Sequence, residues 1–318
     1  SYKIVDVFCN KSELINEEFD IIHIHSPFIL GRLGINLAKK LNIPCISTLH
    51  TRFDFEFKRF VKNGAIAKKV AGVLIKSLNK CDLCTVVNDP LVLEARNYGY
   101  KGRIRIVYNG TDLKPAIFKG IKKNMINEMF NLKEEDKVMI FVGRIIDIKN
   151  IFFIMDALKL LKDDNFSFKM IFVGEGPDYE KLIDRVKEYN LEDDVILTGK
   201  ITDRKLLSYI YRRSDLLLFP SLFDTSSLVR IEAAVNMTPG LFIRESMVGS
   251  TITDGVDGYL SELDVNLYKN KIISIFNNES ELKKVSRNAK KNLGVSWSEI
   301  IKKYYKIYNE EISIKKDC

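Results

Sequence analysis

The sequence predicts an α/β protein of two domains, each built on a parallel β-sheet with helices on both faces. Its 318 residues are too many for one doubly wound domain and fit two, at roughly 100–200 residues per domain. A hydrophobic content of 46% beside 29% charged residues is typical of a folded, soluble protein with a substantial core. Strand-like apolar runs alternate with amphipathic helical stretches along the chain, which is the rhythm of strands joined by helical crossovers.

The apolar runs with the length and composition of strands fall into two sets. In the first part of the chain they cover residues 20–25, 84–87 and 103–108, together with a strand that ends the stretch 39–50 at His50. In the second part they cover 137–142, 168–173, 195–197, 215–219, 240–243 and 258–260. About four strands are few for such a domain, so we expect the amino-terminal domain to be incomplete. Ligands of these folds bind beyond the carboxyl ends of the strands.

The weakest sequence between the two sets is 109–120, where a turn signal is followed by Pro and Gly without a clear period. We therefore expect a first domain at 1–115 and a second at 116–295, facing each other across a cleft. Residues 296–318 are predicted to form a terminal helix that returns to the first domain. Its apolar side is expected to face the core and consists of Trp297, Ile300, Ile301, Tyr304, Tyr305 and Tyr308.

Composition limits the partners and the compartment. The 50 Lys and Arg residues exceed the 42 Asp and Glu residues, which favours anionic partners such as nucleotides, nucleic acids or anionic membranes. The 5 cysteines are odd in number and lie mostly in apolar runs, so we expect reduced thiols in a cytoplasmic protein, with the close pair Cys81 and Cys84 packed in the core. No apolar run approaches the ~18–20 residues of a membrane span, so any membrane contact is expected to be peripheral.

A basic amphipathic segment extends from Lys58 to Lys80. Two interpretations stay open: the segment lies on an anionic membrane surface at the inner face, or it is an ordinary domain helix with a solvated basic face. Only one aromatic residue, Phe60, lies among its cations, so we expect no nucleic-acid binding. The cations concerned are Lys58, Arg59, Lys62, Lys68, Lys69, Lys76 and Lys80.

Residues 216–234 are predicted to form a strand, a loop and a helix that begins near Asp224, with Asp224 as its cap. Unpaired amides at such a helix start can seat a phosphate. They would belong to Thr225, Ser226, Ser227 and Leu228. Glu232 would lie about 12 Å further along the axis, comparable to the distance from sugar to ribose in a nucleotide sugar. Spacing alone favours the alternative, a capping aspartate and a solvated or paired glutamate.

Two cations follow the first strand of the second domain. Gly143 and Arg144 end that strand, and Lys149 comes five residues later. Such charges can neutralise a diphosphate leaving group when no metal is supplied, although two solvated loop cations would look the same. The turn at 174–178 lacks the third Gly of a dinucleotide motif and the Lys of a phosphate-binding loop, so turn chemistry is an equally good interpretation.

All 3 histidines lie at strand ends of the first domain, where a ligand would be met. His23 and His25 could pair on a metal, but no third histidine or carboxylate has a supportive spacing, so we expect no metal. His50 either closes a strand as a polar residue or contacts a ligand.

Together these segments resemble family 4 of the retaining glycosyltransferases, whose two Rossmann-like domains are called type B. The resemblance covers nearly the whole chain, and the shared order of the motifs is more specific than any one of them. It is closest in detail to the enzymes that glucosylate diacylglycerol and to capsule and teichoic-acid enzymes. The matching segments are 20–28, 47–52, 107–112, 141–144 with Lys149, 173–177, 197–201 and 220–225 with 232–234.

The resemblance implies a retaining hexosyltransferase that takes its sugar from a nucleotide-sugar, a UDP-sugar in our expectation, without a metal or other cofactor. The acceptor would be a membrane-associated lipid or a surface polysaccharide. The resemblance implies that Arg144 and Lys149 bind the diphosphate, Glu232 the ribose and Asp224 the sugar hydroxyls. The backbone at Lys200 and Ile201 would bind the base, and His50 would lie beside the anomeric carbon. Further donor contacts are expected from Gly143 and the loop residues Thr225, Ser226, Ser227 and Leu228.

The chain departs from the family pattern at three places. Asp224 stands where the family has Glu, and Ser226 and Ser227 replace Phe-Gly, which indicates a different sugar preference. Gly249 and Ser250 replace a Pro-Glu pair, and the family's first strand with its Gly-rich loop has no counterpart. These changes leave a second hypothesis open, a catalytically silent partner of another transferase that binds a nucleotide-sugar or glycan.

Overall fold

The computed structural model describes residues 18–53, 63–117 and 121–317. The chain divides into two compact units, each with its own parallel sheet. We call the residues up to Asn109 together with those from Ser298 the first unit, and Gly110–Trp297 the second unit. Within the described part of the chain, no helix is both long and apolar enough to cross a membrane.

The first unit contains a sheet of order β1-β2-β3-β4 in which every pair of neighbours is parallel. Every residue of β2 and β3 is buried, as their almost continuously apolar sequences predict. The strands are β1 (Ile22–Ile24), β2 (Cys45–Leu49), β3 (Leu83–Val86) and β4 (Arg103–Ile106). The helices between them are α1 (Ile29–Leu41), α2 (Gly64–Leu78) and α3 (Pro90–Asn97).

The second unit contains a parallel sheet of order β10-β9-β8-β5-β6-β7. Its strands are β5 (Val138–Val142), β6 (Lys169–Val173), β7 (Val195–Leu197), β8 (Leu216–Phe219), β9 (Gly240–Ile243) and β10 (Tyr259–Ser261). Its helices are α4 (Ile121–Met129), α5 (Ile151–Asp163), α6 (Tyr179–Glu188), α7 (Arg204–Arg213), α8 (Leu228–Val235), α9 (Val265–Asn277) and α10 (Glu279–Leu293).

The central strand β5 shows why this sheet is covered on both faces. Successive strand residues point to opposite faces, and all five residues of β5 are buried. Met139 and Phe141 join one hydrophobic cluster, whereas Val138, Ile140 and Val142 join another. Each such side chain contributes about 1.5–3 kcal/mol when it is fully buried. Two apolar layers thus hold the sheet rigid, and its strands end together at one edge.

The terminal helix α11 (Trp297–Lys316) has a different buried side from the one expected. Ile300 and Ile307 are buried, but Ile301 and Tyr305 are 50% and 64% exposed, so the predicted core stripe is wrong for these two and for the 37% exposed Trp297. The buried residues Ile300, Ile307 and Glu311 are seven and four residues apart and lie on one side of the helix. Ile301 and Tyr305 lie about 100° and about 140° away from that side.

An ion pair that no apolar pattern reveals fixes this rotation of α11. Arg103 in β4 donates from Nη1 to Oε1 of Glu311 at 3.0 Å, and Glu311 is only 1% exposed. Arg105 donates to the adjacent Glu310. A buried carboxylate needs such a partner, so the position of Arg103 decides which side of the helix is covered.

Replacing Ile300 with Ala should lower the free energy of unfolding by about 2–4 kcal/mol, because it removes a fully buried side chain and leaves a cavity. Replacing the half-exposed Ile301 with Ala should change it by less than about 0.5 kcal/mol. Urea unfolding followed by circular dichroism measures both. Equal destabilisation by the two substitutions would contradict the observed rotation of α11.

Candidate functional site

The carboxyl ends of β5 and β6 approach each other through glycine turns. Gly143 donates from its backbone N to the Val173 carbonyl at 3.0 Å, and Gly174 donates to the Gly199 carbonyl at 2.9 Å. A Cβ atom on Gly174 would lie 1.8 Å from the Gly143 carbonyl oxygen, and the φ of Gly174, +145°, also favours glycine. The two backbones can therefore meet only because residue 174 is glycine, while the φ of Gly143, +154°, also favours glycine there.

A cavity of about 410 Å³ opens at this edge of the sheet. It contains four of the residues predicted to bind a ligand, Gly143, Arg144, Lys200 and Ile201. Glu175 also lines it, in the turn for which turn chemistry and a ligand role were equally good interpretations. The structure thus brings together residues that are more than fifty positions apart in the chain.

Helix α7 connects this cavity to Glu232. The side chain of Asp203 caps the helix by accepting bonds from the backbone N of Lys205 and Leu206, at 2.8 and 3.1 Å. From there Arg204, Leu207 and Tyr211 recur at helical spacing and share one face. Leu207 lines the cavity, and the other two contact Glu232.

Glu232 is a buried carboxylate with two partners on α7. It is 7% exposed; its Oε1 accepts from Arg204 Nη2 at 2.8 Å and its Oε2 from the Tyr211 hydroxyl at 3.3 Å. Arg204 Nη2 also donates to Oδ1 of Asp112 at 2.7 Å. Burial, and then the Glu232 carboxylate, raise the pKa of Tyr211. Sequence reasoning missed Arg204 and Tyr211; their helical spacing was visible, but their partner was not.

The helix after β8 begins later than expected. α8 starts at Leu228, and the hydroxyl of Ser227 caps it by accepting a bond from the Arg230 backbone N at 3.3 Å. The prediction that Asp224 caps this helix is wrong, because Ser is as good a cap as Asp and the carboxylate of Asp224 has another partner. The expected distance along a helix axis from Asp224 to Glu232 therefore does not apply. Thr225 and Ser226 lie in the loop that precedes the helix.

That partner of Asp224 is Lys149. Lys149 Nζ lies 2.6 and 2.7 Å from the two carboxylate oxygens, and the two side chains are 19% and 21% exposed. Lys149 ends a short 3-10 turn, and the next residue, Asn150, has a φ of 57° and donates from Nδ2 to the Pro220 carbonyl at 2.8 Å. The turn after β5 is thus tied to the loop after β8, which keeps the two charges together.

The three histidines form a cluster in the first unit. His23 Nδ1 lies 2.6 Å from the Tyr308 hydroxyl and its Nε2 lies 2.6 Å from Thr48 Oγ1. His25 Nδ1 lies 2.9 Å from His50 Nε2, and these two rings stack with centroids 5.2 Å apart. No group of three or more His, Cys, Asp or Glu side chains in the described residues is arranged to hold a metal ion.

These imidazoles are neutral at neutral pH. Burial, together with the neighbouring His25 and His50, lowers the pKa of His23 to about 3. Burial, and then His25, lower the pKa of His50 to about 4, and burial lowers the pKa of His25. The cluster therefore supplies hydrogen-bonding groups without positive charge.

The described cysteines pack in the core of the first unit. Cys81 lies against Cys45, with the sulfur atoms 3.7 Å apart, and Cys84 is buried separately. Cys81 and Cys84 are both buried, as predicted, and Cys45 reaches Cys81 because β2 and β3 lie side by side. Cys9 and Cys318 lie outside the described residues.

Helix α2 holds the described part of the basic segment. Lys68, Lys69, Lys76 and Lys80 are exposed, as are the apolar side chains Ile66, Val70 and Val73. Ala71, Ile75 and Leu78 are buried, so the helix is amphipathic. The predicted residues Lys58, Arg59 and Lys62 lie outside the described residues.

Comparison with sequence families gives two matches. Residues 123–292 match the sequence model of the family described as "Glycosyl transferases group 1". Residues 2–115 match the one described as "Glycosyltransferase Family 4".

Curated relatives share about a quarter of their residues with this chain. It is 25% identical to the "Alpha-monoglucosyldiacylglycerol synthase" of Acholeplasma laidlawii, over 86% of this chain and 70% of the relative. It is 27% identical to "Uncharacterized glycosyltransferase MJ1178" of Methanocaldococcus jannaschii, over 98% and 81%. It is 28% identical to the "UDP-Gal:alpha-D-GlcNAc-diphosphoundecaprenol alpha-1,3-galactosyltransferase" of Escherichia coli, over 92% and 75%.

Solved structures share the fold. The Anabaena protein HepE in complex with UDP superposes with a TM-score of 0.79 at 17% identity, over 94% of this chain and 82% of that protein. Sucrose-phosphate synthase from Thermosynechococcus elongatus gives 0.79 at 20% identity, over 97% and 77%. The predicted type B fold with two Rossmann-like domains is confirmed.

The histidine cluster predicts a pH dependence of stability. The unfolded chain binds protons at its histidines below about pH 6.5, whereas folded His23 stays neutral down to about pH 3, so stability falls as the pH is lowered between these values. The contribution of one such histidine approaches about 1.4 kcal/mol per pH unit. Replacing His23 with Asn should make the decline of the unfolding free energy from pH 6.5 to 4 shallower, as measured by urea unfolding. An unchanged slope, whatever the absolute stability, would contradict the lowered pKa.

Proposed function

The chain belongs to the group 1 glycosyl transferases, and from that premise we propose that it moves a hexose from a UDP-sugar to a lipid-linked or polysaccharide acceptor with retention of the anomeric configuration. One observation carries the proposal. Gly143, Arg144, Lys200 and Ile201 line one cavity at the carboxyl edge of the sheet, and a face of α7 joins it to Glu232. The relatives and neighbours named for UDP or UDP-galactose support the choice of donor.

In this proposal the donor lies along the edge of the sheet. The base would bind the backbone at Lys200 and Ile201, and the ribose hydroxyls would bind the Glu232 carboxylate. The diphosphate would then face Arg144 and Lys149, whose charges offset its own. Thr225, Ser226, Ser227 and Leu228 would offer backbone and hydroxyl contacts from the loop and the start of α8, where the helix dipole favours an anion.

Because Lys149 and Asp224 form an ion pair, the contacts to the donor would form in a defined order. A diphosphate oxygen would compete with the Asp224 carboxylate for Lys149 Nζ, which now lies within 2.7 Å of both carboxylate oxygens. Asp224 would then be released to accept hydrogen bonds from the sugar hydroxyls. Phosphate and sugar recognition would thus be linked through one pair of side chains.

In the chemical step, the acceptor hydroxyl oxygen forms a bond to the anomeric carbon while the bond from that carbon to the donor phosphate oxygen breaks. The electron pair leaves with the diphosphate, and the acceptor proton passes to the departing phosphate oxygen. Attack on the face that the leaving group vacates retains the configuration. Arg144 and Lys149 would stabilise the leaving charge, so the scheme needs no metal or cofactor.

His50 would lie beside the anomeric carbon. That carbon becomes electron-poor as the bond to the leaving group breaks, so a positive charge nearby would oppose the reaction. A neutral imidazole, kept so by its lowered pKa of about 4, avoids this cost.

We further place the protein at the cytoplasmic face of a membrane. Two of the relatives are named for diacylglycerol and diphosphoundecaprenol products or substrates, which are membrane lipids. Lys69 and Lys76 flank the exposed Ile66, Val70 and Val73 at helical spacing, and together they form a surface suited to anionic headgroups and the first part of the acyl layer.

Turnover tests the proposal. With a panel of UDP- and GDP-sugars and a diacylglycerol or polyprenyl-phosphate acceptor, we expect transfer from at least one UDP-sugar in the presence of EDTA. Lys149→Ala should lower kcat/KM by about 100-fold, because it removes a charge that stabilises the leaving group. Lys159→Ala is the matched control: it removes a Lys paired with Asp163 on α5, and kcat/KM should stay within about twofold.

Binding of the donor without turnover of any sugar would overturn this proposal in favour of a silent binding partner. Activity that EDTA abolishes and Mg²⁺ restores would overturn metal independence alone. Equal losses in Lys149→Ala and Lys159→Ala would contradict the role of Lys149.

Vesicle sedimentation tests the membrane surface. The protein should bind vesicles with phosphatidylglycerol more strongly than vesicles of phosphatidylcholine alone, and salt should weaken this binding. The double variant Lys69→Glu and Lys76→Glu should bind at least about tenfold more weakly, since each lysine contributes about 1 kcal/mol. The control variant, Lys283→Glu with Lys284→Glu on α10, has the same net charge. Equal effects of both variants would mean that net charge, not α2, governs binding.

A further inference from the structure

Helix α7 holds the Glu232 carboxylate at both oxygens. Arg204 contacts Oε1 and Tyr211 contacts Oε2, and Leu207, between them on the same face, lines the cavity. One face of α7 thus contributes Leu207 to the cavity and also holds both oxygens of the Glu232 carboxylate.

This arrangement leaves the carboxylate able to bind a ligand. A carboxylate has about four lone-pair positions, and each oxygen of Glu232 accepts one bond from α7. One acceptor position on each oxygen suits two neighbouring hydroxyl groups, as on a ribose. Arg204 also offsets the cost of burying the Glu232 carboxylate, which is only 7% exposed.

Arg204 is itself anchored on a second side. The same Nη2 that contacts Glu232 donates to Asp112 Oδ1 at 2.7 Å. Asp112 follows Thr111, whose backbone N donates to the Val295 carbonyl at 2.9 Å and whose carbonyl accepts from the Trp297 backbone N at 3.1 Å. Asp112 thus sits on a hydrogen-bonded segment of the second unit, and the guanidinium is held between two carboxylates rather than free to swing away.

We propose that Arg204 is a positioning residue for ribose recognition: it fixes the Glu232 carboxylate so that the site distinguishes a ribonucleotide from its 2′-deoxy analogue. Tyr211 shares the task with a neutral hydrogen bond and has the smaller effect. The inference rests on the proposed function, in which Glu232 binds the ribose.

The test compares the dissociation constants of UDP and 2′-deoxy-UDP by calorimetry on the full chain. Wild type should prefer UDP by at least about tenfold, since a carboxylate placed to accept a hydroxyl disfavours the analogue that lacks it. Glu232→Gln and Arg204→Ala should reduce the preference to within about twofold. Arg204→Lys should restore part of it, and Tyr211→Phe should lower it less than Arg204→Ala. Lys205→Ala, the next residue on α7, is the control and should keep the wild-type ratio.

The ratio separates positioning from a general structural role. If Arg204→Ala weakens UDP and 2′-deoxy-UDP equally and keeps the wild-type ratio while Glu232→Gln loses it, the proposal for Arg204 is overturned and the ribose site at Glu232 stands. If wild type binds UDP without any preference, or does not bind UDP, the assignment of the ribose to Glu232 fails and the inference falls with it. Should Arg204→Ala not fold by circular dichroism, Arg204→Lys and Tyr211→Phe carry the same comparison.

Discussion

The contact between the backbones of Gly143 and Gly174 is the constraint on which the edge of the second unit depends. With a Cβ 1.8 Å from the Gly143 oxygen, any other residue at 174 would force the ends of β5 and β6 apart. The contact continues beyond the strands: Ile145 donates to the Glu175 carbonyl at 3.0 Å, and a Cβ on Gly176 would lie 2.0 Å from the Ile145 oxygen. Short backbone links therefore lead from the glycines to the turn that carries Lys149 and set its distance from the loop after β8.

The candidate site residues of the two units are in different electrical states. In the second unit, opposite charges compensate each other, Lys149 with Asp224 and Arg204 with Glu232. In the first unit, burial keeps the histidines neutral, and hydrogen bonds to Thr48 and Tyr308 rather than ion pairs hold His23. A site of the first kind suits anionic ligand groups, whereas the second suits a reacting centre at which added charge would be harmful.

The strands were predictable because buried parallel strands are mostly apolar, and each strand-like run of the sequence overlaps one strand. The cavity-lining residues Gly143, Arg144, Lys200 and Ile201 were named from the sequence because they follow strand ends, although their binding roles stay predictions. The predicted start of α8 was wrong because residues 224–227 contain Asp and Ser, which cap helices about equally well. Only the contact of Lys149 with Asp224 decides between them. Arg204 was missed since an exposed-looking cation on a helix gains its meaning from a carboxylate 28 residues away.

The backbone bridge between Thr111 and Ser296 has a consequence for how this molecule could be rebuilt. It holds the first and last residues of the second unit side by side, so that unit is one continuous stretch with adjoining ends, set into the first unit like an insertion. Domains with adjoining ends can be exchanged between related chains without lengthening a connection. The second unit could thus be exchanged as a whole for the corresponding stretch of a relative. Because its two ends lie side by side, both junctions of the resulting chimera would fall at the same place.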